Sequence, residues 1–154
     1  MKSSPLVAVL GVLILSTQAC IPIPGLSPSP TFTPPASSIP PSGYEPQPGD
    51  DKLTRDQVFL EVENSRVVIQ ESMPAQVSVI INGSLSDPCH QLRVVVTPAN
   101  AQNEINLDVY SLFNPDQACI TVIKGFSATI PIGSYAGGHY TVFVNGALVG
   151  EFDS

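Results

Sequence analysis

Apolar and polar residues alternate along much of this chain with a period of two. The clearest run is "EINLDVYSL" at 104–112, where Ile105, Leu107 and Val109 point one way and Asn106 and Asp108 the other. A strand buried on one face requires that alternation, because successive side chains leave opposite faces. Short runs rich in β-branched residues recur at 57–62, 66–71, 75–83, 91–98, 119–123, 126–132, 139–144 and 147–152. Turn residues separate them: "NGS" at 82–84, "SDP" at 86–88, "TPAN" at 97–100, "NPD" at 114–116 and "YAGG" at 135–138. Asn145-Gly146 joins the last two runs and predicts a two-residue hairpin, since a type I′ turn needs φ > 0 at both positions. No long segment repeats at helical spacing. The pattern predicts an all-β domain over residues 50–154, an antiparallel sandwich of about seven to nine short strands. A small barrel is the alternative. Glu61, Glu63, Glu71 and Asp108 fall on its solvated faces.

Upstream of Asp50 the alternation stops. Residues 21–49, "IPIPGLSPSPTFTPPASSIPPSGYEPQPG", are dominated by Pro, Ser, Gly and Thr. Proline removes backbone donors and favours polyproline II, so this segment reads as an extended, disordered tether. Its reach is up to roughly 90 Å at about 3.1 Å per residue. Before it, Lys2 precedes an apolar run from Leu6 to Leu15, and Thr17 and Ala19 are small. The run is too short to span a bilayer, which takes about 20 residues. Charge, apolar run and small residues in that order predict an export signal over residues 1–19, cut after Ala19.

The stretch "LILSTQAC" ends in Cys20 with Ala19 before it. It resembles the lipobox of bacterial lipoprotein precursors, although Thr17 and Gln18 depart from the commonest pattern. The resemblance implies that the Cys20 thiol carries a lipid and anchors residues 20–49, as a linker, to a membrane. Three cysteines then leave an even pair, Cys89 and Cys119. Exported compartments permit disulfides, so this pair is expected to be bridged. Near the C-terminus, "GHYTVFVNG" at 138–146 resembles the G-x-Y-x-V strand of immunoglobulin-like domains. That resemblance implies a sandwich in which Tyr140 bonds back to the preceding corner. Val142 stands where antibody-type domains carry their second core cysteine, and the chain has no Trp.

Charge narrows the range of functions. The formal net charge is −7, and the six basic residues Lys2, Lys52, Arg55, Arg66, Arg93 and Lys124 form no cluster. Nucleic-acid binding needs such a cluster, so no nucleic-acid partner is expected. Catalysis also finds little material. His90 and His139 are the two histidines, no G-x-S-x-G elbow is present, and the neighbours Cys89 and His90 would face opposite ways on a strand. No enzyme activity and no cofactor is expected. A copper set of His90, His139 and Met73, or a calcium set of Asp50, Asp51 and Asp56, lacks ligand spacing. Both histidines are read instead as exposed, and Met73 as a core or turn residue.

Two loops are the candidate binding elements, because a rigid sandwich presents contacts on loops. "FNPDQA" at 113–118 offers Phe113, Asn114 and Asp116, and "GSYAGGH" at 133–139 offers Tyr135 and His139. The expectation is a non-catalytic lipoprotein at the cell surface or in the periplasm that binds an unknown protein or glycan. The alternative is an immunoglobulin-like protease inhibitor. That family uses an N-P-T-T-G loop, whereas Asn114-Pro115 here is followed by Asp116. Metal carriage is the third and weakest reading.

Overall fold

The period-two runs fold into two sheets packed face to face. A computed structural model describes residues 39–154; the expected export signal over 1–19, the expected lipidation site Cys20 and most of the expected linker lie outside these described residues. Nine strands run in chain order: β1 (Thr54–Asp56), β2 (Phe59–Leu60), β3 (Arg66–Gln70), β4 (Ala75–Leu85), β5 (Gln91–Thr97), β6 (Glu104–Phe113), β7 (Lys124–Tyr135), β8 (His139–Val144) and β9 (Ala147–Asp153). Two short 3-10 turns, Asp50–Lys52 and Val62–Asn64, interrupt them, and there is no α-helix among the described residues. The domain is the all-β sandwich that the alternation predicts.

Each sheet is organised around one long strand. In the first, β6 pairs along 106–112 with β5. Its other edge is divided between β1, which pairs at 111–113, and β8, which pairs at 104–107. In the second, β4 pairs over its whole length with β7, and its other edge is divided between β3 and β2. All pairings are antiparallel except β6 with β8. The core forms where the inner faces meet. Val77, Val79 and Ile81 from β4 and Ala128, Ile130 and Ile132 from β7 oppose Val94, Ile105, Leu107, Val109, Val142, Val144 and Phe152. Each fully buried aliphatic side chain stabilises the fold by about 1.5–3 kcal/mol.

Both open sides of the sandwich are closed. On one side Gly150 of β9 lies against Val67 of β3; a Cβ there would sit 3.0 Å from the Val67 side chain, so glycine permits the approach. On the other side, Val94 N–H of β5 donates to Tyr44 O at 2.7 Å, and Tyr44 packs on the core. Residues 39–42 with Glu45 and Pro46 line a cleft with Val94, Val96, Ile130 and Pro131. The fold therefore begins upstream of Asp50. Asp50 is itself tied to β5: the buried Arg93 donates to it twice, Nε to Oδ2 at 2.8 Å and Nη2 to Oδ1 at 2.9 Å. That guanidinium holds the Asp50 carboxyl below its usual range.

Four stretches differ from their predicted form. The expected turn "NGS" at 82–84 runs on as strand inside β4, paired with β7. The run at 57–62 keeps only β2 as strand and bends into the 3-10 turn at Val62–Asn64. Residues 54–56, which carry no alternation, form β1 because β6 offers them a free half-edge. Residues 119–123 form no strand, because β4 ends at Leu85 opposite Lys124 and nothing continues the ladder. Cys89 and Cys119 are disulfide-bonded, with Cα atoms 6.1 Å apart and a sequence separation of 30. Closing such a loop stabilises a fold by about 3–4 kcal/mol in the chain-entropy model.

The Asn145-Gly146 turn has the expected positive φ at both residues, 48° and 82°. Its asparagine does a second job. Asn145 N–H donates to Leu107 O at 2.9 Å, continuing the β8 pairing by one step. The side-chain amide then accepts from Val109 N–H at 2.7 Å and donates to Val109 O at 2.8 Å. It thus acts as a peptide unit where β6 has no strand partner between β8 and β1. Asn145→Gly keeps the turn and removes that amide. Urea unfolding should show a loss of about 1–2 kcal/mol, the cost of leaving a buried-edge donor and acceptor unpaired; a change under about 0.5 kcal/mol would show that the bridge contributes little.

Candidate functional site

The two candidate loops lie at opposite ends of β7. Loop 113–118 is near its Lys124 end and loop 133–139 at its Tyr135 end, separated by a strand of roughly 40 Å. They cannot form one site.

At the Tyr135 end, three aromatic rings pack together. The Tyr135 and Tyr140 centroids are 4.7 Å apart, and Tyr140 stacks on Phe152 at 5.1 Å. Tyr135 donates its hydroxyl to Ile132 O at 2.9 Å, and burial pushes its pKa up to about 12. Tyr140 donates to Gly137 O at 3.3 Å, the back-bond to the corner that the Ig-like resemblance implies. These tyrosines brace the corner, with their hydroxyls already engaged. Ile39 lies here too, lining a cleft of about 300 Å³ with Pro98, Tyr135 and Tyr140. His139 is exposed, with Nδ1 2.9 Å from Asp153 Oδ1 and Nε2 3.6 Å from Glu151 Oε2. The Asp153 carboxylate raises the imidazole pKa above its ordinary 6.5, and Glu151 adds to it. A raised pKa means that the pairing is fully present at low pH and is lost as pH rises through the folded value. An NMR titration should place the His139 midpoint above 6.5, and Asp153→Asn should lower it; equal midpoints would show that Asp153 does not govern this histidine.

At the opposite end, the disulfide joins the 86–90 turn to the 113–123 segment. Asp87 Oδ1 accepts from Cys89 N–H at 2.8 Å and His90 N–H at 3.2 Å, and lies 2.8 Å from His90 Nδ1. The His90 bond and these amides hold the Asp87 carboxyl below its usual range. His90 is buried rather than exposed, which corrects the sequence expectation. The Phe113 ring stacks on it at 4.8 Å, and Asp56 Oδ2 stands 3.4 Å from its Nε2. Phe113 is therefore a packing residue. Asn114 Oδ1 accepts from Asp116 N–H at 3.0 Å and Asn114 O from Gln117 N–H at 3.1 Å, so Asn114 and Asp116 define a turn.

Neither metal set assembles. His90 and His139 sit at opposite ends, and Met73 is fully exposed in the β3–β4 turn. Asp50 is spent on Arg93, whereas Asp56 faces His90. Ligand atoms of Asp87, Cys89 and Cys119 lie within 4.8 Å of one another, but the sulfurs are bonded to each other and offer no thiolate. The groove between β1 and the Asn145 turn is also self-satisfied. Arg55 Nη2 bonds both Asp108 carboxylate oxygens, at 2.7 and 3.0 Å, and its guanidinium lies 3.9 Å from the Tyr110 ring centre.

Apart from the buried His90 Nε2, which has no hydrogen-bond partner, the groups left uncovered at this end are apolar. Ile120, Val122 and Ile123 directly follow the disulfide and are 68%, 56% and 74% exposed. Phe59 of β2 is 75% exposed. Phe59, Ser84 and Gly125 share one row across β2, β4 and β7 on the outer face, and the last two are too small to cover the ring. Sequence reasoning missed this cluster because "CITVI" has the composition of a buried strand.

A family profile described as the ORF11 beta-sandwich domain matches residues 79–154, from the middle of β4 to the end of the chain. The chain is 36% identical over 85 residues to an uncharacterised 10.2 kDa protein in the HgiCIIM 5′ region of Herpetosiphon aurantiacus. That match covers 54% of this chain and 89% of the relative. It is 38% identical over 78 residues to a 10.2 kDa protein in the HgiBIM 5′ region of the same organism, covering 48% of this chain and 90% of the relative. No solved structure matches the chain. The chain belongs to the ORF11 β-sandwich family.

Proposed function

We propose that this chain is an exported, lipid-anchored, non-catalytic binding protein whose sandwich contacts a protein partner through its disulfide end. The exposed apolar cluster of Phe59, Ile120, Val122 and Ile123 carries the reading. Exposed apolar residues gathered at one end of a fold are costly in water and mark a contact surface. A protein is preferred to a glycan here because the four side chains offer dry contact area and no array of hydrogen-bonding groups.

The anchor rests on the order of Lys2, the Leu6–Leu15 run, Ala19 and Cys20. A disulfide between the other two cysteines is consistent with an oxidising compartment.

Metabolic labelling with an alkyne fatty acid tests the anchor. In a bacterial host the full chain should take up label and partition with membranes, while Cys20→Ser should lose the label and the membrane association. An unlabelled, soluble full chain would overturn the anchor.

A further inference from the structure

The apolar end is occupied, we infer, by the same end of a second copy of this chain, in a two-fold symmetric dimer. The inference rests on reading the disulfide end as a contact face and is independent of the lipid anchor.

Charge selects the occupant. A two-fold axis sets each surface patch against itself, so a charged patch would oppose its own sign. The chain carries a net charge of −7, yet residues 117–123, "QACITVI", carry none. A copy that meets this strip across a two-fold axis therefore brings no like charges of the strip itself together. Its borders are complementary as well. Asp116 flanks the strip on one side and Lys124 on the other. An antiparallel copy brings Lys124 towards the partner's Asp116.

Area sets the strength. With side chains of roughly 150–200 Å² each, the four exposed residues present roughly 500 Å² per copy. Two copies would bury roughly 1,000 Å², the lower bound for a specific interface and well below an obligate one. The account therefore demands a reversible dimer of a protomer that folds alone, not an intertwined one. The disulfide assists by tethering Cys119 to the 86–90 turn, so that the following three apolar residues are held rather than free to collapse onto the sandwich. Thr121 and Ile123 backbone groups, with no ladder partner in their own chain, lie beside the docked side chains.

Sedimentation velocity on oxidised residues 21–154, which retain every described residue, tests the inference. A monomer–dimer equilibrium is expected with a dissociation constant on the order of 10–100 μM. Added salt should tighten it by screening the net charge of the two copies. Ile120→Ser with Ile123→Ser should weaken the dimer at least tenfold, since each change is felt twice across the axis. Both residues are exposed, so the variant keeps its fold, which circular dichroism checks. Leu148→Ser, an equally conservative change at an exposed apolar residue of the β8–β9 hairpin, should leave the equilibrium unchanged. A monomer at every concentration up to 1 mM overturns the proposal and leaves a foreign protein as the occupant of the contact face. A dimer insensitive to the double substitution also overturns it. Neither outcome touches the labelling result, so failure of the dimer and failure of the anchor are told apart.

Discussion

One strand edge governs this sandwich. β6 lies at the centre of its sheet, but its second edge has two short partners instead of one long one: β8 at 104–107 and β1 at 111–113. Between them, Val109 N–H and C=O would face a gap. The Asn145 amide fills it with both bonds at normal length. A buried peptide group left unpaired costs about as much as several favourable contacts return. The bridge therefore lets a parallel β8 and an antiparallel β1 share one edge, and it sets where the β8–β9 hairpin turns. The packing of Val142, Val144 and Phe152 into the core depends on that position.

The same economy holds elsewhere among the described residues. Arg93 is matched to Asp50, Arg55 to Asp108, and the buried His90 to Asp87. Tyr135 and Tyr140 bond the backbone of their own corner. The residues that sequence reasoning marks as chemically interesting are mostly used up in holding the fold. Among the described residues, Asp56 and Asp87 meet on the buried His90 and the other acids and bases are paired singly or exposed, while the apolar end beyond the disulfide stays uncovered.

The architecture was legible where alternation was strong. Residues 104–112 and 139–152 read correctly as strands, and Asn145-Gly146 as a hairpin, because period and turn chemistry are local properties. The disulfide was legible from the count of cysteines together with the expectation of export. Three features were not local. Thr54–Asp56 became a strand because β6 had a half-edge to offer. "CITVI" did not, because no strand lay beside it. His90 looked like a surface residue, and its burial depends on Phe113 and Asp56, distant in sequence. The contact end was hidden for the same reason: composition alone does not distinguish an apolar run with a partner from one without.

Hydrogen exchange resolved by residue addresses both halves of the account at once. The amide of Val109, whose acceptor is a side chain, should be protected to the level of the core strands at any protein concentration. The amides of Thr121 and Ile123 should exchange freely in dilute solution and slow as concentration rises towards 1 mM. Rapid exchange at Val109 would contradict the closed β6 edge. Protection of Thr121 and Ile123 that is already full in dilute monomer would contradict an apolar end that stays open until a second copy covers it.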